Sequence, residues 1–336
     1  MNRFAVAMPG TFEQARQLLH DGDFSLPVLK AGGMDLLDHL KEGLAQPDLL
    51  VNIRRVRRDP TAGPIDVQRG EDGSRSLRID ATTTLAEIAA SSLLLEQAPV
   101  IAQAAADAAT PQVRNVATVA GNLLQRPRCW YYRNQQFRCL KKGGPRCYAV
   151  DGENKFHAIF SEGPCYIVHP SNLAPALYVL GGTVHVISDE RDSIPITDLY
   201  HTPDRGLLDE HDLQPDEVVT HLTIDSAPHS AFYAIKEKQS FDWPLVMAAV
   251  ALELRGDEIA AARVCAGAVA PVPWPLPRVE RALVGVSVND GQGLRRACAV
   301  AGERARPMTR NGFKVDLLPV AVTRAVRKAA GQDVEP

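Results

Sequence analysis

The sequence contains few cysteines, few aromatic residues and little net charge, and it lacks any long apolar run. Six of its 336 residues are cysteine, 6% are aromatic, and the formal net charge is −3. So small a net charge argues against a protein that binds nucleic acid or a membrane surface as a whole. No segment reaches the roughly 20 apolar residues that a spanning helix needs, so no membrane span is predicted.

The start of the chain lacks the features of a secretory signal, because its apolar run is too short before Pro9 and Gly10. The expected compartment is therefore the cytoplasm, where thiols stay reduced. A periplasmic location is left open through co-export with a partner that carries its own signal.

The motifs of the common nucleotide and zinc sites are also missing. There is no G-x-G-x-x-G fingerprint, no G-K-[ST] loop and no C-x2–4-C knuckle. Two turns of small residues occur instead, LKAGGMD from Leu29 to Asp35 and ATVAGN from Ala117 to Asn122. Backbone N–H groups in such turns can hold a phosphate. A plain tight turn explains each one equally well, whereas two that face each other predict a pyrophosphate clamp.

Helix and strand patterns mix along the chain and predict an α+β protein with a boundary near residue 226. The first part predicts a helix capped by Thr11 with Gln14 completing a capping box, a strand at 27–29, a helix from Asp35 and a strand in PDLLVNI. Helical patterns follow from Thr82 and over 99–109, and HPSNLAPALYVLGGTVHVI predicts a helix and a strand.

Three segments are predicted as loops, and the last part of the chain as strands and helices. The loops are 59–76 (with a hairpin as the alternative), the turn that contains Gly121 and Asn122, and the polar stretch 188–212 (a surface loop, or else a gate). Two apolar runs joined at Gly256-Asp257 predict antiparallel strands. Helices are predicted at 291–301 and 317–330.

The segment RCWYYRNQQFRCLKKGGPRC, from Arg128 to Cys147, concentrates three cysteines in a basic, aromatic stretch, and a fourth follows closely. Their spacing is C-x9-C-x7-C-x17-C, over Cys129, Cys139, Cys147 and Cys165. Four thiols can be core residues, disulfides or metal ligands. The wide spacing favours a larger object than one zinc ion, such as an iron–sulfur cluster held by an irregular loop.

The residues around these cysteines suit a buried, negatively charged cluster. Seven basic residues are predicted to offset its charge and donate to its sulfurs: Arg126, Arg128, Arg133, Arg138, Lys141, Lys142 and Arg146. Four rings are predicted to exclude water: Trp130, Tyr131, Tyr132 and Phe137. Such residues also stack on nucleic-acid bases, but that reading leaves the cysteines unexplained. Cys265 and Cys298 are predicted as core residues, and His157, His169 and His201 as surface or loop residues.

In their order and spacing these segments resemble the FAD-binding medium subunit of the molybdenum hydroxylases, the family of xanthine dehydrogenase, carbon monoxide dehydrogenase and aldehyde oxidoreductase. The resemblance covers most of the chain and is carried by P-x-T-x-E-Q-A, LKAGGMDLL, PDLLVNI, TTTLAEIA, VRNVATVAGNLLQ, HPSNLAPALYVLGG and KQSFDWPLVMAAVAL. The insertion at about 126–168 resembles that of relatives with a [4Fe–4S] cluster. Its wide last gap and the phrase NKFHAIF are more similar to bacterial, often periplasmic, aldehyde oxidoreductase than to 4-hydroxybenzoyl-CoA reductase.

The resemblance implies a fold and two sites. The fold is α+β: a vanillyl-alcohol-oxidase-type FAD-binding domain over 1–225, with subdomains of about 1–55 and 56–225, then a C-terminal α+β domain with an antiparallel sheet over 226–336 of the carbon monoxide dehydrogenase flavoprotein type. The implied cluster ligands are Cys129, Cys139, Cys147 and Cys165. The implied FAD-binding residues are Leu29, Lys30, Ala31, Gly32, Gly33, Met34, Asp35, Thr118, Gly121, Asn122, Leu124, Asn172, Val219, Lys236 and Lys238.

Three positions depart from the family pattern. Met34 stands where many members carry Thr or Asn, so a side-chain contact to the phosphates is lost while the backbone turn remains. Asn172 stands where Asp commonly holds a sugar or ribityl hydroxyl; its amide can accept a hydrogen bond but carries no charge. Lys236 and Lys238 are both candidates for the cation that faces the isoalloxazine.

The implied function is electron transfer within a larger enzyme, an oxidoreductase subunit without a catalytic acid or base of its own. A partner's molybdenum cofactor would oxidise an aldehyde or N-heterocycle, and [2Fe–2S] clusters of a small subunit would pass electrons to FAD here. FAD would then reduce an external acceptor such as a quinone, ferredoxin, oxygen or NAD. The alternatives are a flavin subunit of a 4-hydroxybenzoyl-CoA reductase-like or xanthine dehydrogenase-like enzyme, a free-standing flavin oxidase, and a zinc-bracketed binding module without redox activity.

Overall fold

The computed structural model describes residues 2–20, 22–56, 63–69, 75–238 and 240–334. Its first layer is a three-stranded parallel sheet in the order β1-β3-β2. The strands and helices of this layer are β1 Ala5–Ala7, α1 Phe12–Leu19, β2 Pro27–Lys30, α2 Leu36–Lys41 and β3 Leu49–Asn52. Thr11 caps α1 by accepting from the Gln14 amide at 3.1 Å. The Gln14 side chain accepts from Gly10 rather than from Thr11, so the predicted capping box is shifted by one residue.

The second layer is a five-stranded antiparallel sheet in the order β4-β5-β8-β6-β7. Its strands are β4 Ile65–Arg69, β5 Arg75–Asp80, β6 Thr183–Ile187, β7 Ser193–Pro195 and β8 Val218–Ile224. The helices of this region are α3 Leu85–Ala90, α4 Ser92–Gln97, α5 Pro99–Asp107, α6 Pro111–Arg114, α7 Val119–Leu123, α8 Trp130–Arg133, α9 Leu173–Val179 and α10 Ile196–Leu199. Pairing of β4 with β5 supports the hairpin alternative; residues 57–62 and 70–74 lie outside the described residues.

One of the predicted loops is wrong, and a second is wrong in part. Gly121 and Asn122 lie inside the short helix α7, because Thr118 caps it and small residues let it pack closely. The stretch 188–212 contains β7 and α10, whose apolar residues Ile194, Ile196 and Leu199 are buried. Polar neighbours hide this apolar alternation in the sequence. Residues 200–212 contain no further helix or strand, and a gate there stays a prediction.

The last layer is an antiparallel sheet in the order β12-β11-β10-β9, covered by long helices. Its elements are β9 Ser230–Lys236, β10 Pro244–Arg255, β11 Glu258–Gly267, β12 Trp274–Pro275, α11 Pro277–Leu283, α12 Gly291–Ala299 and α13 Phe313–Ala329. The predicted strands, their turn at Gly256-Asp257 and the two terminal helices are confirmed. Helix α13 packs on β9 and β10.

The apolar core of the second layer continues into the last layer. Phe232, Met247 and Cys265 of the last sheet join the buried cluster formed by α3, α5 and α9. The elements that surround the site are therefore held in one packed body. No helix in the described part of the chain is both long and apolar enough to cross a bilayer.

Candidate functional site

A cleft of about 710 Å³ opens beside the β2–α2 turn and helix α7. It falls in the size range of cofactor pockets. All the predicted FAD-binding residues except Lys236 and Lys238 line it: Leu29, Lys30, Ala31, Gly32, Gly33, Met34, Asp35, Thr118, Gly121, Asn122, Leu124, Asn172 and Val219. Segments nearly two hundred positions apart in sequence thus meet around one cavity.

The two glycine turns touch each other at one edge of the cleft. A methyl group on Gly32 would stand 2.0 Å from the carbonyl oxygen of Val116, which no side chain can do. Gly33 has a φ of 79°, in the left-handed region that favours glycine. The turn therefore needs both glycines, and its close approach to the second turn leaves backbone groups, not side chains, at this wall of the cleft.

Helix α7 is fixed by polar contacts within the protein. Thr118 accepts from the Gly121 amide at 3.2 Å. Asn122 is buried, and its Oδ1 accepts from the Ser171 hydroxyl at 2.6 Å and from the Leu173 amide at 3.4 Å. The side-chain oxygen of Asn122 thus joins α7 to the start of α9 and shapes the cleft.

A second polar cluster forms the wall at the end of α5. Asp107 receives the Lys236 ammonium at 2.8 Å and the Asn172 amide at 3.3 Å. Lys236 itself does not line the cleft but supports a carboxylate that does. Lys238 is exposed, and its backbone amide donates to Asp242. With Asp at position 172, a second carboxylate would face Asp107, so the neutral amide matches its surroundings.

Sequence reasoning missed part of the lining. The end of α5 contributes Asp107–Thr110, and the loop before β10 contributes Phe241 and Trp243. Ala109 and Phe241 have φ values of 44° and 60°, an uncommon conformation for residues other than glycine. The Pro after Thr110 and the exposed aromatic pair in FDW are the signals that mark these turns.

His39 is a further lining residue that was not predicted. Its side chain is buried beside Tyr132, with ring centroids 5.8 Å apart. Burial, helped by Arg133, lowers the pKa of His39 to about 4. The imidazole is therefore neutral at physiological pH.

The four clustered cysteines line a second cavity, and none forms a disulfide. Cys139 and Cys165 are buried, whereas Cys129 and Cys147 are partly exposed. Burial raises the pKa of the Cys129 thiol to about 11. A hydrogen bond from Cys165 lowers the pKa of Cys147, so this pair favours a thiolate on Cys147.

The donors that reach these sulfurs are mainly backbone amides, not the predicted arginines. Tyr131 and Tyr132 supply them to Cys129, Ala149 and Val150 to Cys147, and Ile167 to Cys165. Backbone donors are fixed in place and stabilise a thiolate without adding a titrating group.

His157 and His169 lie in loops, one of the two predicted alternatives, but both are buried, so a surface location is wrong for them; His201 is partly buried beside Asp209. His157 lines the cysteine cavity, and its Nε2 lies 3.3 Å from the Cys129 sulfur. The motif NKFHAIF places it between Cys147 and Cys165, which was the available signal.

The basic residues of the insertion pair with carboxylates elsewhere in the chain. Asp35 receives Arg133 at 2.7 Å and Arg128 at 3.0 Å. Although burial opposes its ionisation, these two guanidinium groups hold the pKa of Asp35 below its ordinary value. Two of the seven basic residues predicted to surround a cluster, Arg128 and Arg133, therefore attach the insertion to the β2–α2 turn.

Glu210 forms the second attachment and is almost fully buried. It lies 2.6 Å from the Lys141 ammonium and 2.9 Å from the Arg126 guanidinium. Burial raises the pKa of the carboxyl, but Arg126 and Lys141 outweigh it and hold the pKa below the usual range. Lys142 donates to the Asn134 carbonyl and Arg146 lies over Tyr148, so neither reaches the sulfurs.

The last layer supplies a third attachment. Lys314 of α13 is fully buried and donates to the carbonyls of Phe156 and Ala268 at 3.1 and 2.8 Å. Burial lowers the pKa of Lys314 to about 7. Asn311 donates to the carbonyls of His157 and Ala158.

The cysteine cavity is not a preformed site for a single metal ion. Within the described ranges, no three Cys, His, Asp or Glu side chains converge closely enough to hold one. The cavity measures about 10 Å³, so a larger group would have to part the thiols. Four thiols with backbone donors are nevertheless the ligand set that iron–sulfur clusters use.

Comparison with known proteins identifies the family. Residues 2–226 match the FAD binding domain in molybdopterin dehydrogenase, and residues 230–329 match the CO dehydrogenase flavoprotein C-terminal domain. The chain is 30% identical over 308 residues to PaoB, the FAD-binding subunit of an aldehyde oxidoreductase from Escherichia coli (strain K12), covering 90% of this chain and 91% of that one. It is 20% identical over 332 residues to the glyceraldehyde dehydrogenase medium chain of Sulfolobus acidocaldarius, covering 97% and 98%.

Solved structures show the same fold at low identity. A chain of carbon monoxide dehydrogenase from Hydrogenophaga pseudoflava matches with a TM-score of 0.72 and 20% identity over 99% of both chains. A chain of quinoline 2-oxidoreductase from Pseudomonas putida 86 matches with a TM-score of 0.72 and 22% identity over 98% of both. The family model, the relative at 30% identity and the shared fold agree: the chain belongs to the FAD-binding medium subunits of the molybdenum hydroxylases, and is an oxidoreductase subunit.

Proposed function

We propose that this chain binds FAD in the cleft and a [4Fe–4S] cluster at its four clustered cysteines, as the electron-transfer subunit of a molybdenum-containing aldehyde oxidoreductase. Its partners are a molybdopterin-binding large subunit and a [2Fe–2S] small subunit, and FAD passes electrons to an external acceptor. The FAD-binding part takes a vanillyl-alcohol-oxidase-type arrangement. The compartment is the cytoplasm, or the periplasm if a signal-bearing partner exports the complex.

One observation carries the proposal: four cysteines with irregular spacing meet at a single cavity, and the segment that holds them is tied to the lining of the cleft. Free thiols that were only core residues would not need a common cavity with backbone donors on three of the four sulfurs. The likeness to an aldehyde oxidoreductase FAD-binding subunit supports the choice of enzyme class.

In this proposal the residues of the chain bind the flavin and the cluster and shield them from water; they do not perform acid–base catalysis. The glycine turns offer backbone N–H groups to a pyrophosphate, and Asp107, Asn172 and Lys236 set the polar wall. Tyr131, Tyr132, Tyr148 and Tyr166 surround the cysteine cavity and exclude water from it. The bound flavin and cluster supply the redox chemistry.

The test is iron, acid-labile sulfide and flavin content on protein purified without oxygen, with Cys139→Ser and Cys298→Ser compared. Cys298 is a buried core thiol outside the cavity and serves as the matched control. We expect about four irons per flavin, loss of iron in Cys139→Ser alone, and retention of flavin in both.

Two outcomes would overturn parts of the proposal. Flavin without iron, or zinc in its place, would reduce the insertion to a structural element and leave only the flavin subunit. Aldehyde oxidation by the isolated chain would favour a free-standing flavin oxidase, whereas dependence on the two partner subunits supports the proposed assembly.

A further inference from the structure

The loop before β10 places two exposed rings over the FAD cleft. Phe241 and Trp243 both line it, although 60% and 48% of their surface is exposed. Asp242 braces the backbone between them by accepting from the amides of Trp243 and Lys238 at 2.9 and 3.3 Å. We refer to Phe241–Trp243 as the aromatic flap.

A guanidinium from the cysteine insertion lies on this flap. The Arg128 guanidinium carbon is 4.8 Å from the centre of the Trp243 ring, within cation–π distance. The same side chain lies 3.0 Å from Asp35 and donates to Gln125 at 3.2 Å. Arg128 thus touches the flap, the first glycine turn and the segment that follows α7, all of which line the cleft.

Arg128 also immediately precedes Cys129. Its backbone is therefore set by the fold of the insertion, while its side chain reaches the cleft. Neither contact is local, because Trp243 and Asp35 are both far from Arg128 in sequence. An insertion that only carried a cluster would not need a side chain shared by two walls of another site.

We propose that Arg128 is a positioning residue that latches the aromatic flap over bound FAD, so that retention of the flavin depends on the cysteine insertion. This inference rests on the proposed binding of FAD in the cleft. Arg128 acts through Trp243: the flat guanidinium stacks on the ring, and the ion pair with Asp35 fixes the guanidinium. A lysine keeps the charge but lacks the planar group.

The test is the rate of FAD release from the complete protein, followed by the rise in flavin fluorescence after dilution. The variants are Arg128→Gln, Arg128→Lys and Trp243→Leu, with Arg138→Gln, an exposed arginine of the same insertion, as the control. We expect release about tenfold faster in Arg128→Gln and in Trp243→Leu, and about threefold faster in Arg128→Lys. The double variant Arg128→Gln/Trp243→Leu should release FAD no faster than the faster of its two single variants, because both substitutions remove the same contact.

The outcomes separate the latch from the site itself. Wild-type protein that holds no FAD would overturn the proposed function. If wild-type protein holds FAD and Trp243→Leu releases it at the wild-type rate, the latch is overturned and the site stands. Faster FAD release from Arg128→Gln, with additive effects in the double variant Arg128→Gln/Trp243→Leu, would also overturn the latch. The effect of Arg128→Gln would then come from its lost ion pair with Asp35. Because Trp243 is exposed, Trp243→Leu remains informative even if Arg128→Gln does not fold.

Discussion

The proposed FAD cleft and the cysteine cavity are built in different ways. The cleft is open, about 710 Å³, and its critical wall consists of backbone turns that follow from the local sequence. The cysteine cavity is narrow, about 10 Å³, and the segment that forms its walls is held by carboxylates from other parts of the chain. The cleft thus has room before any ligand binds, whereas the cysteine segment depends on distant ion pairs for its position.

The largest expected effect comes from a substitution that distorts the cleft and leaves the cysteine cavity unchanged. Gly32→Ala places a methyl group 2.0 Å from the Val116 carbonyl oxygen, so the two glycine turns must separate. We expect a cost of about 3 kcal/mol, or about 100-fold in FAD affinity. Flavin titration of the apoprotein measures it. Gly22→Ala is the control because nothing lies within 4 Å of the added carbon; equal affinity in the two variants would contradict the close-approach argument.

The next effect breaks the anchoring of the cysteine segment. Glu210→Gln leaves Arg126 and the buried Lys141 without their shared carboxylate. Removing one partner of a buried ion pair typically costs about 3 kcal/mol. Urea unfolding monitored by tryptophan fluorescence measures the loss, with the exposed Glu162→Gln as control. An unchanged midpoint would mean that the ion pairs do not hold the insertion.

The smallest expected effect is the loss of stability at acidic pH that follows from protonation of His169. The His169 ring packs edge-on against Tyr200, with ring centroids 4.4 Å apart, and burial lowers the pKa of His169 to about 4 from an ordinary value near 6.5. The unfolded chain binds this proton more tightly, so its contribution to stability is complete above pH 6.5 and is lost as the pH falls toward 4. The slope is about 1.4 kcal/mol per pH unit at most.

The measurement is the free energy of unfolding at several pH values between 7.5 and 4.5. His169→Phe keeps a ring against Tyr200 without a titrating group and should reduce the slope; the buried His39 and His157 and the partly buried His221, whose pKa values are also lowered to about 4, supply the remainder. His229→Phe, at an exposed position, should not. Parallel profiles for wild type and His169→Phe would show that other groups govern the acid response.

The contrast between the two regions also explains which features of the sites could be predicted from the sequence and which could not. The two glycine turns were recognised because they are local features, and the family resemblance supplied the other predicted residues of the cleft lining. The partners of the insertion's arginines were not, because Arg126 and Glu210 are 84 positions apart and Arg133 and Asp35 are 98 apart. Charge that was assigned to a cluster is used instead to attach the segment.

Local patterns failed where tertiary packing decides. Thr118 and the small residues after it form a helix, which Thr118 caps and whose residues are mostly buried, although Gly and Asn suggest a loop. His157 and His169 carry polar rings into buried positions, which sequence patterns do not foresee. The strands and helices after residue 230 were predictable because long apolar alternation dominates there.

The three attachments of the cysteine segment have a consequence for protein engineering. Asp35, Glu210 and the pair formed by Asn311, just before α13, and Lys314, within it, come from three separate layers, and each binds a different part of the segment. Transplanting residues 126–168 into a flavin subunit that lacks such a loop would therefore move the ligands without their supports. A working graft needs the four corresponding positions of the recipient changed as well. The segment can therefore be transferred only together with the residues that bind it.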